Sequence, residues 1–182
     1  MLLLQLTGLS GSGKTTLANQ VKVLLTAQGY KVEIIDGDEY RQHICSDLGF
    51  SKADRLENIR RLGFVGLRLV HHGVITILAA INPYEEARLA LELKSAQVKT
   101  IFIDCPLEVV ISRDVKGLYK KALLPLEHPD YLPHFTGISD PYEIPLNPHL
   151  TIHSHLEKAN MSAQKILDFI LIQLRNHCNM AG

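Results

Sequence analysis

Eight residues near the start of the chain, Gly8-Leu9-Ser10-Gly11-Ser12-Gly13-Lys14-Thr15, constrain the fold most. They fit G-x-x-x-x-G-K-[ST] and lie between a strand-like run and a helix-like one. Leu2-Leu3-Leu4-Gln5-Leu6-Thr7 has strand length and composition, while Leu17, Val21, Leu24 and Leu25 recur at helical spacing until Gly29. Glycines in such a loop let backbone N–H groups turn onto phosphate oxygens. The lysine reaches the β and γ oxygens of a nucleoside triphosphate, and the Thr15 hydroxyl can coordinate Mg²⁺. Gly8 through Thr16 are therefore the candidate triphosphate site, reinforced by the positive end of the following helix dipole. The motif specifies a nucleotide and not a reaction, because kinases, GTPases and ATPases share it.

The remaining periodicity continues the alternation of strand and helix. Lys31 to Ile35 reads as a second strand ending at Asp36-Gly37-Asp38. Leu56, Ile59, Leu62, Val65 and Leu69 keep a helical period to His72-Gly73, and Val74 to Ile81 reads as a buried strand. Pro83 suits the first turn of a helix running to about Ala96, Val98 to Asp104 is another strand, and Pro106 opens a further short helix. Leu150 to His153 is the last strand, followed by a helix with Ala163, Ile166, Leu167, Ile170, Leu171 and Leu174 on one face. This pattern predicts an α/β fold: a three-layer sandwich with a mostly parallel sheet of about five strands, helices on both faces, and ligand loops at the carboxyl ends of the strands. A chain of 182 residues, 46% of them hydrophobic, suits a single domain spanning 1–182.

Periodicity fails between Asp114 and Pro148, where most of the prolines gather, and a long loop of this kind in a compact domain is read as a lid over about 114–140. Lys+Arg and Asp+Glu both number 19, so net charge offers no argument for a nucleic-acid or membrane partner, and neither is expected. Cys45, Cys105 and Cys178 form no C-x-x-C pair and no disulfide framework, which makes the cytoplasm the expected compartment. Met1-Leu2-Leu3-Leu4 lacks the basic flank of a signal peptide, and no apolar run reaches the roughly 18 to 20 residues that span a bilayer.

Three clusters stand where an acceptor would be gripped. Asp36-Gly37-Asp38 with Arg41 offers two carboxylates for metal or proton work and a cation for an anionic acceptor; the structural alternative is a glycine turn with Asp38 capping the next helix. Phe50 to Arg61 contains Ser51 and Asp54 as a capped helix start, with Arg55, Asn58 and Arg61 on one face; surface Glu/Arg pairing is the competing explanation. Arg113 to Lys121, with Phe135-Thr136-Gly137-Ile138, carries cations suited to closure over transferring phosphates.

The blocks GLSGSGKTT, DGDEYR, LGFSKADRLENIRR, RDVKGLYKKA and FTGISDPYEIPLNP resemble the adenylyl-sulfate kinase family of phosphate-loop kinases, in the family's order from Leu3 to about Ile152. The resemblance implies transfer of phosphate from ATP to the 3′-hydroxyl of adenosine 5′-phosphosulfate (adenylyl sulfate), with Mg²⁺, in sulfate activation. It implies that Lys14 and Asp36 are catalytic. Asp38, Arg41, Arg55 and Asn58 would hold the sulfonucleotide, Phe50 and Phe135 would sandwich its adenine, and Lys116 would belong to the closing lid. It also implies a homodimer and a functional link to sulfate adenylyltransferase.

Two departures stand out. Asn82-Pro83-Tyr84-Glu85 replaces a family pattern like S-P-Y-R, so a phosphorylated serine is not carried over, and Glu85 is expected to place an acid near the anionic substrate. The stretch from Leu123 to His134 is longer and richer in proline than the family's connector. The first departure motivates one alternative, a related kinase with another nucleotide-like or anionic acceptor; a second, a weakly active nucleotide-binding partner of the adenylyltransferase, would be marked by damage to Lys14, Asp36 or the lid, and none is seen.

Overall fold

A computed structural model describes residues 1–180, with side chains as far as Asn176; the side chain of Cys178 lies outside the described residues. In chain order the elements are β1 (Leu3–Thr7), α1 (Lys14–Ala27), β2 (Val32–Asp36), α2 (Gly37–His43), α3 (Lys52–His71) and β3 (Ile75–Ala79). They continue with α4 (Glu85–Glu92), β4 (Val98–Asp104), α5 (Leu107–Arg113), α6 (Leu118–Ala122), β5 (Leu150–His153) and α7 (Ala159–Met180). The five strands form one sheet in the order β2-β3-β1-β4-β5, and every pairing is parallel.

Alternation along β1 assigns its side chains to two cores. Leu4 and Leu6 pack with Leu17, Val21 and Leu25 of α1 and Ile166 and Ile170 of α7, whereas Leu3 packs with Ile59 and Leu62 of α3 and Leu91 of α4. The sheet is thus covered on both faces, as a parallel sheet requires. All five strands run in one direction, which brings the loop after β1, the end of β2, the residues after β3 and the end of β4 to one edge of the molecule.

Three local expectations need correction. The helix placed from Pro83 to about Ala96 runs only from Glu85 to Glu92. Asn82 adopts a left-handed φ of 43° and Tyr84 is still extended, so the chain turns before it can coil. The aperiodic stretch after Asp114 contains the short helix α6, whose start is held by the Asp114 carboxylate accepting from the N–H groups of Tyr119 (3.0 Å) and Lys120 (2.9 Å). Part of that stretch is also core: Tyr119, Ala122 and Phe135 pack with Cys105 and Val110 in a third apolar cluster.

Candidate active site

The loop between β1 and α1 is built around positions that need glycine. Gly8 has φ of 154°, and a Cβ there would lie 2.5 Å from the carbonyl oxygen of Ile103, a backbone atom that cannot yield. Gly13 is left-handed (φ 102°) and forms the N-cap of α1, so the first turn of that helix faces the loop. Lys14 is nearly buried and curls back to donate to the carbonyl oxygens of Gly8 and Leu9, both at 2.8 Å.

Burial pushes the Lys14 ammonium down to about 8, against an opposing attraction from Asp38; Lys116 adds to the depression and Asp36 resists it. A triphosphate would favour the charged form, so above pH 8 its binding takes up a proton and its affinity falls as pH rises. Calorimetry of a non-hydrolysable ATP analogue at pH 9, in two buffers of different ionisation enthalpy, is expected to give different apparent enthalpies. At pH 7 this residue contributes little to that difference. Equal enthalpies at pH 9 would contradict the assignment.

At the end of β2 the side chain of Asp36 makes two contacts. Its Oδ2 accepts from the Thr15 hydroxyl at 2.8 Å, and its Oδ1 accepts from the Asp38 N–H at 2.9 Å. Capping of α2 therefore falls to Asp36 and not to Asp38, the residue weighed for that role. Asp38 is free of the helix end and pairs at 2.5 Å with Lys116, which reaches across from the segment before α6. Both partners are largely exposed, so this pair contributes about 0–1 kcal/mol.

A cleft of about 590 Å³ joins these groups, lined by Lys14, Thr15, Asp36, Asp38, Arg41, Phe50, Arg55, Lys116 and Phe135. Arg41 donates to the carbonyls of Leu48 (3.2 Å) and Gly49 (2.7 Å), with its guanidinium 4.7 Å from the Phe50 ring centre. Arg55, mostly buried, donates to the carbonyls of Phe50 and His134 and lies 3.3 Å from the Asp140 carboxylate. Burial lowers its pKa and Asp140 opposes that. Phe50 is exposed at the mouth, and Phe135 is buried with its ring edge-on to Tyr119. Asn58 lines an adjoining recess of about 80 Å³ together with Asn82. The Oδ1 atoms of Asn58 and Asn82 are among the buried polar atoms without a hydrogen-bond partner within the described residues, and such acceptors are costly unless a ligand or water meets them.

Not every candidate enters the cleft. Arg60 and Arg61 pair with Glu57, and Arg61 also with Asp47, so surface pairing is the correct account of those two. Ser51 caps α3 by accepting from the Asp54 N–H, as its spacing predicts. Cys105 is buried as packing, and no group of three or more His, Cys, Asp or Glu residues among the described residues could hold a metal.

Glu85 is the main correction. It lines neither the cleft nor the recess; its carboxylate bonds Arg88 at 2.7 Å and accepts from the Leu146 N–H at 3.2 Å. Arg88, only 1% exposed, also donates to the carbonyls of Asn82 (2.7 Å) and Glu143 (2.6 Å). Arg88 belongs to no motif in the sequence. The available signal was Gln5, a polar residue inside an apolar strand: it donates to the Arg88 carbonyl and accepts from the Asn82 amide. Glu85 thus anchors the loop after β3 to the segment before β5. Replacing it with alanine is expected to destabilise the fold by about 3 kcal/mol, the low end for breaking a buried ion pair, because a buried guanidinium loses its counter-charge while keeping its carbonyl partners. Denaturant melts and acceptor KM values check this. An E85A protein of parental stability with a much changed acceptor KM would restore a direct role in binding.

Proteins of known family resemble this chain in sequence and fold. A family model for adenylylsulphate kinase matches residues 1–153. The adenylyl-sulfate kinase of Chloroflexus aurantiacus is 48% identical over 168 residues, covering 92% of this chain and 86% of that protein. That of Synechococcus sp. (strain JA-3-3Ab) is 46% identical over 171 residues, covering 94% and 92%. Among solved structures, the Mycobacterium tuberculosis APS kinase in complex with AMPPNP and APS superposes with a TM-score of 0.85 at 36% identity, covering 93% of this chain and 96% of that one. A shared fold, a matching family model and near-complete coverage by relatives all agree, and the chain belongs to the adenylyl-sulfate kinase family of phosphate-loop kinases.

Proposed function

We propose that this cleft transfers the γ-phosphoryl group of ATP to the 3′-hydroxyl of adenylyl sulfate, giving ADP and 3′-phosphoadenylyl sulfate. The observation that carries the reading is the junction of two half-sites in one cleft: Lys14 and Thr15 on the donor side, and Arg41, Phe50, Arg55 and Phe135 on the acceptor side, with Asp36 between them. Lys14 and the loop amides hold the donor phosphates. Asp36 orients the acceptor hydroxyl and accepts its proton. Arg41 and Arg55 neutralise the phosphosulfate, and Phe50 and Phe135 offer aromatic faces to a purine. Asp38 and Asn58 supply polar contacts, and Lys116 adds positive charge over the transferring group. Work of this kind is positioning and charge stabilisation.

The donor set also suits Mg²⁺. Thr15 and Asp36 present hard oxygens on one wall, and this ion takes one or two protein oxygens beside substrate phosphates and water, without a dedicated protein cage. When bound, the ion neutralises charge on the β and γ oxygens.

No helix among the described residues is long and apolar enough to cross a membrane, and the buried free thiols of Cys45 and Cys105 fit a reducing compartment, which supports the cytoplasm. Supply of the acceptor requires adenylyl transfer to sulfate, so the protein acts beside a sulfate adenylyltransferase; a homodimer is the assembly that the family resemblance implies. The test is ADP release with ATP, Mg²⁺ and either adenylyl sulfate or AMP. Turnover is expected with the first and at least tenfold less with the second. Equal turnover would favour the alternative of a kinase with a different nucleotide acceptor.

A further inference from the structure

We infer that Tyr119 is a positioning residue that couples the donor loop to the acceptor wall, through one hydrogen bond to the phosphate loop and one ring contact to Phe135. The inference rests on the assignment of Phe135 to the acceptor side. Tyr119 is 2% exposed, and its hydroxyl donates to the Ser10 carbonyl at 2.9 Å, across 109 residues of sequence. Its ring meets that of Phe135 edge-on, with centres 4.9 Å apart and planes at 85°. A phenylalanine would fill the same apolar cluster. The buried hydroxyl therefore calls for a reason beyond packing, since burying it is unfavourable unless it is bonded.

The reason lies in the peptide that it grips. The Ser10 carbonyl and the Gly11 N–H belong to one planar unit and point in opposite directions, so fixing the carbonyl fixes the aim of the N–H. Gly11 lines the cleft at a left-handed φ of 74°, where the absence of a Cβ leaves the backbone free to rotate. Tyr119 removes that freedom at the position where a donor phosphate would be met. Burial, with Asp114 and Cys105 nearby, raises the phenol pKa, so the group remains a donor at neutral pH.

Tyr119 is itself held as part of a unit. Asp114 accepts from its N–H and from that of Lys120, and Lys116 of the same segment reaches Asp38. A triphosphate that sets the Ser10–Gly11 peptide thereby sets α6, and α6 supports Phe135. Linkage makes the effect reciprocal: an acceptor that orders Phe135 must tighten the hold on the donor by the same factor.

Amide hydrogen exchange on the full chain, with and without a non-hydrolysable ATP analogue and Mg²⁺, tests this without any acceptor. In the parent protein, protection is expected to extend from residues 8–16 into 118–123 and 135–138. In Tyr119→Phe it should remain at 8–16 and be lost in both distant segments, with the melting temperature little changed. Phe135→Leu should keep protection at 118–123 and lose it at 135–138. In turnover, Tyr119→Phe should lower kcat roughly fivefold, the order of one neutral hydrogen bond, with the KM for ATP within about twofold. Failure of the parent to use adenylyl sulfate would count against the acceptor assignment, while the exchange data would still decide the coupling. Equal protection of 118–123 and 135–138 in the parent and Tyr119→Phe, or none there in the parent, would overturn it.

Discussion

Replacing Asp36 with asparagine is expected to lower kcat by about 10²–10⁴-fold, the range for loss of a positioned acid or base, with affinity for an ATP analogue nearly unchanged. Asparagine is the informative choice because the Asp36 carboxylate has a structural task as well. Its Oδ1 caps α2 by accepting from the Asp38 N–H, and an asparagine carbonyl can do the same. The Thr15 hydroxyl, which donates to Oδ2, can rotate to meet the new amide. D36N therefore removes charge and basicity while keeping the cap, whereas D36A also loses the cap and about 1 kcal/mol of stability. Single-turnover rates with matched thermal melts separate the two effects. A D36N protein of parental kcat would remove Asp36 from the chemistry.

Replacing Lys14 with methionine is expected to separate stability from activity in the opposite sense. The ammonium is nearly buried, and its pKa near 8 records how strongly burial disfavours its charge in the ligand-free fold. Methionine fills comparable volume without that penalty, so K14M should melt at or above the parental temperature. Catalysis should fall by about 10²–10³-fold, as when one preorganised donor to a developing charge is removed. The carbonyls of Gly8 and Leu9 lose their donor, which offsets part of the gain in stability. Melting curves and kcat/KM on the same preparation check both halves. A K14M protein less stable by several kcal/mol would show that the ammonium holds the loop together even without nucleotide.

The parts of the molecule legible in sequence are those governed by local rules. The phosphate loop declares itself because its glycines, lysine and threonine are contiguous and flanked by a strand and a helix. Val98–Asp104 matches its expected bounds because a strand buried on both faces is rich in apolar and β-branched residues, while the edge strand Leu150–His153 is marked by alternation, with Ile152 buried between exposed Thr151 and His153. Ser51 is an evident cap because its partner is three residues away. What could not be read depends on contacts between distant segments. Glu85 at a helix start beside the substrate looks like an acid facing an anion; only the burial of Arg88, and its bonds to Asn82 and Glu143, turn the carboxylate away from the cleft. The aperiodic segment after Asp114 looks like pure loop because a five-residue helix has too few turns to display a period, and its stability comes from the Asp114 cap and the apolar cluster around Tyr119. Asp38 is the cap of α2 that the sequence suggests, and a single hydrogen bond, from the Asp38 N–H to the Asp36 carboxylate, moves that role to Asp36.

If one cleft joins ATP to the 3′-hydroxyl of adenylyl sulfate, the transferred phosphoryl group has a single destination. The most direct measurement is phosphorus NMR of the reaction of the parent protein with ATP, Mg²⁺ and adenylyl sulfate. One new phosphomonoester resonance is expected, coupled to the ribose 3′ proton and growing in step with ADP while the phosphosulfate resonance persists. ADP formed without a 3′-phosphomonoester, or a phosphoryl group found on any other oxygen of the acceptor, would contradict it.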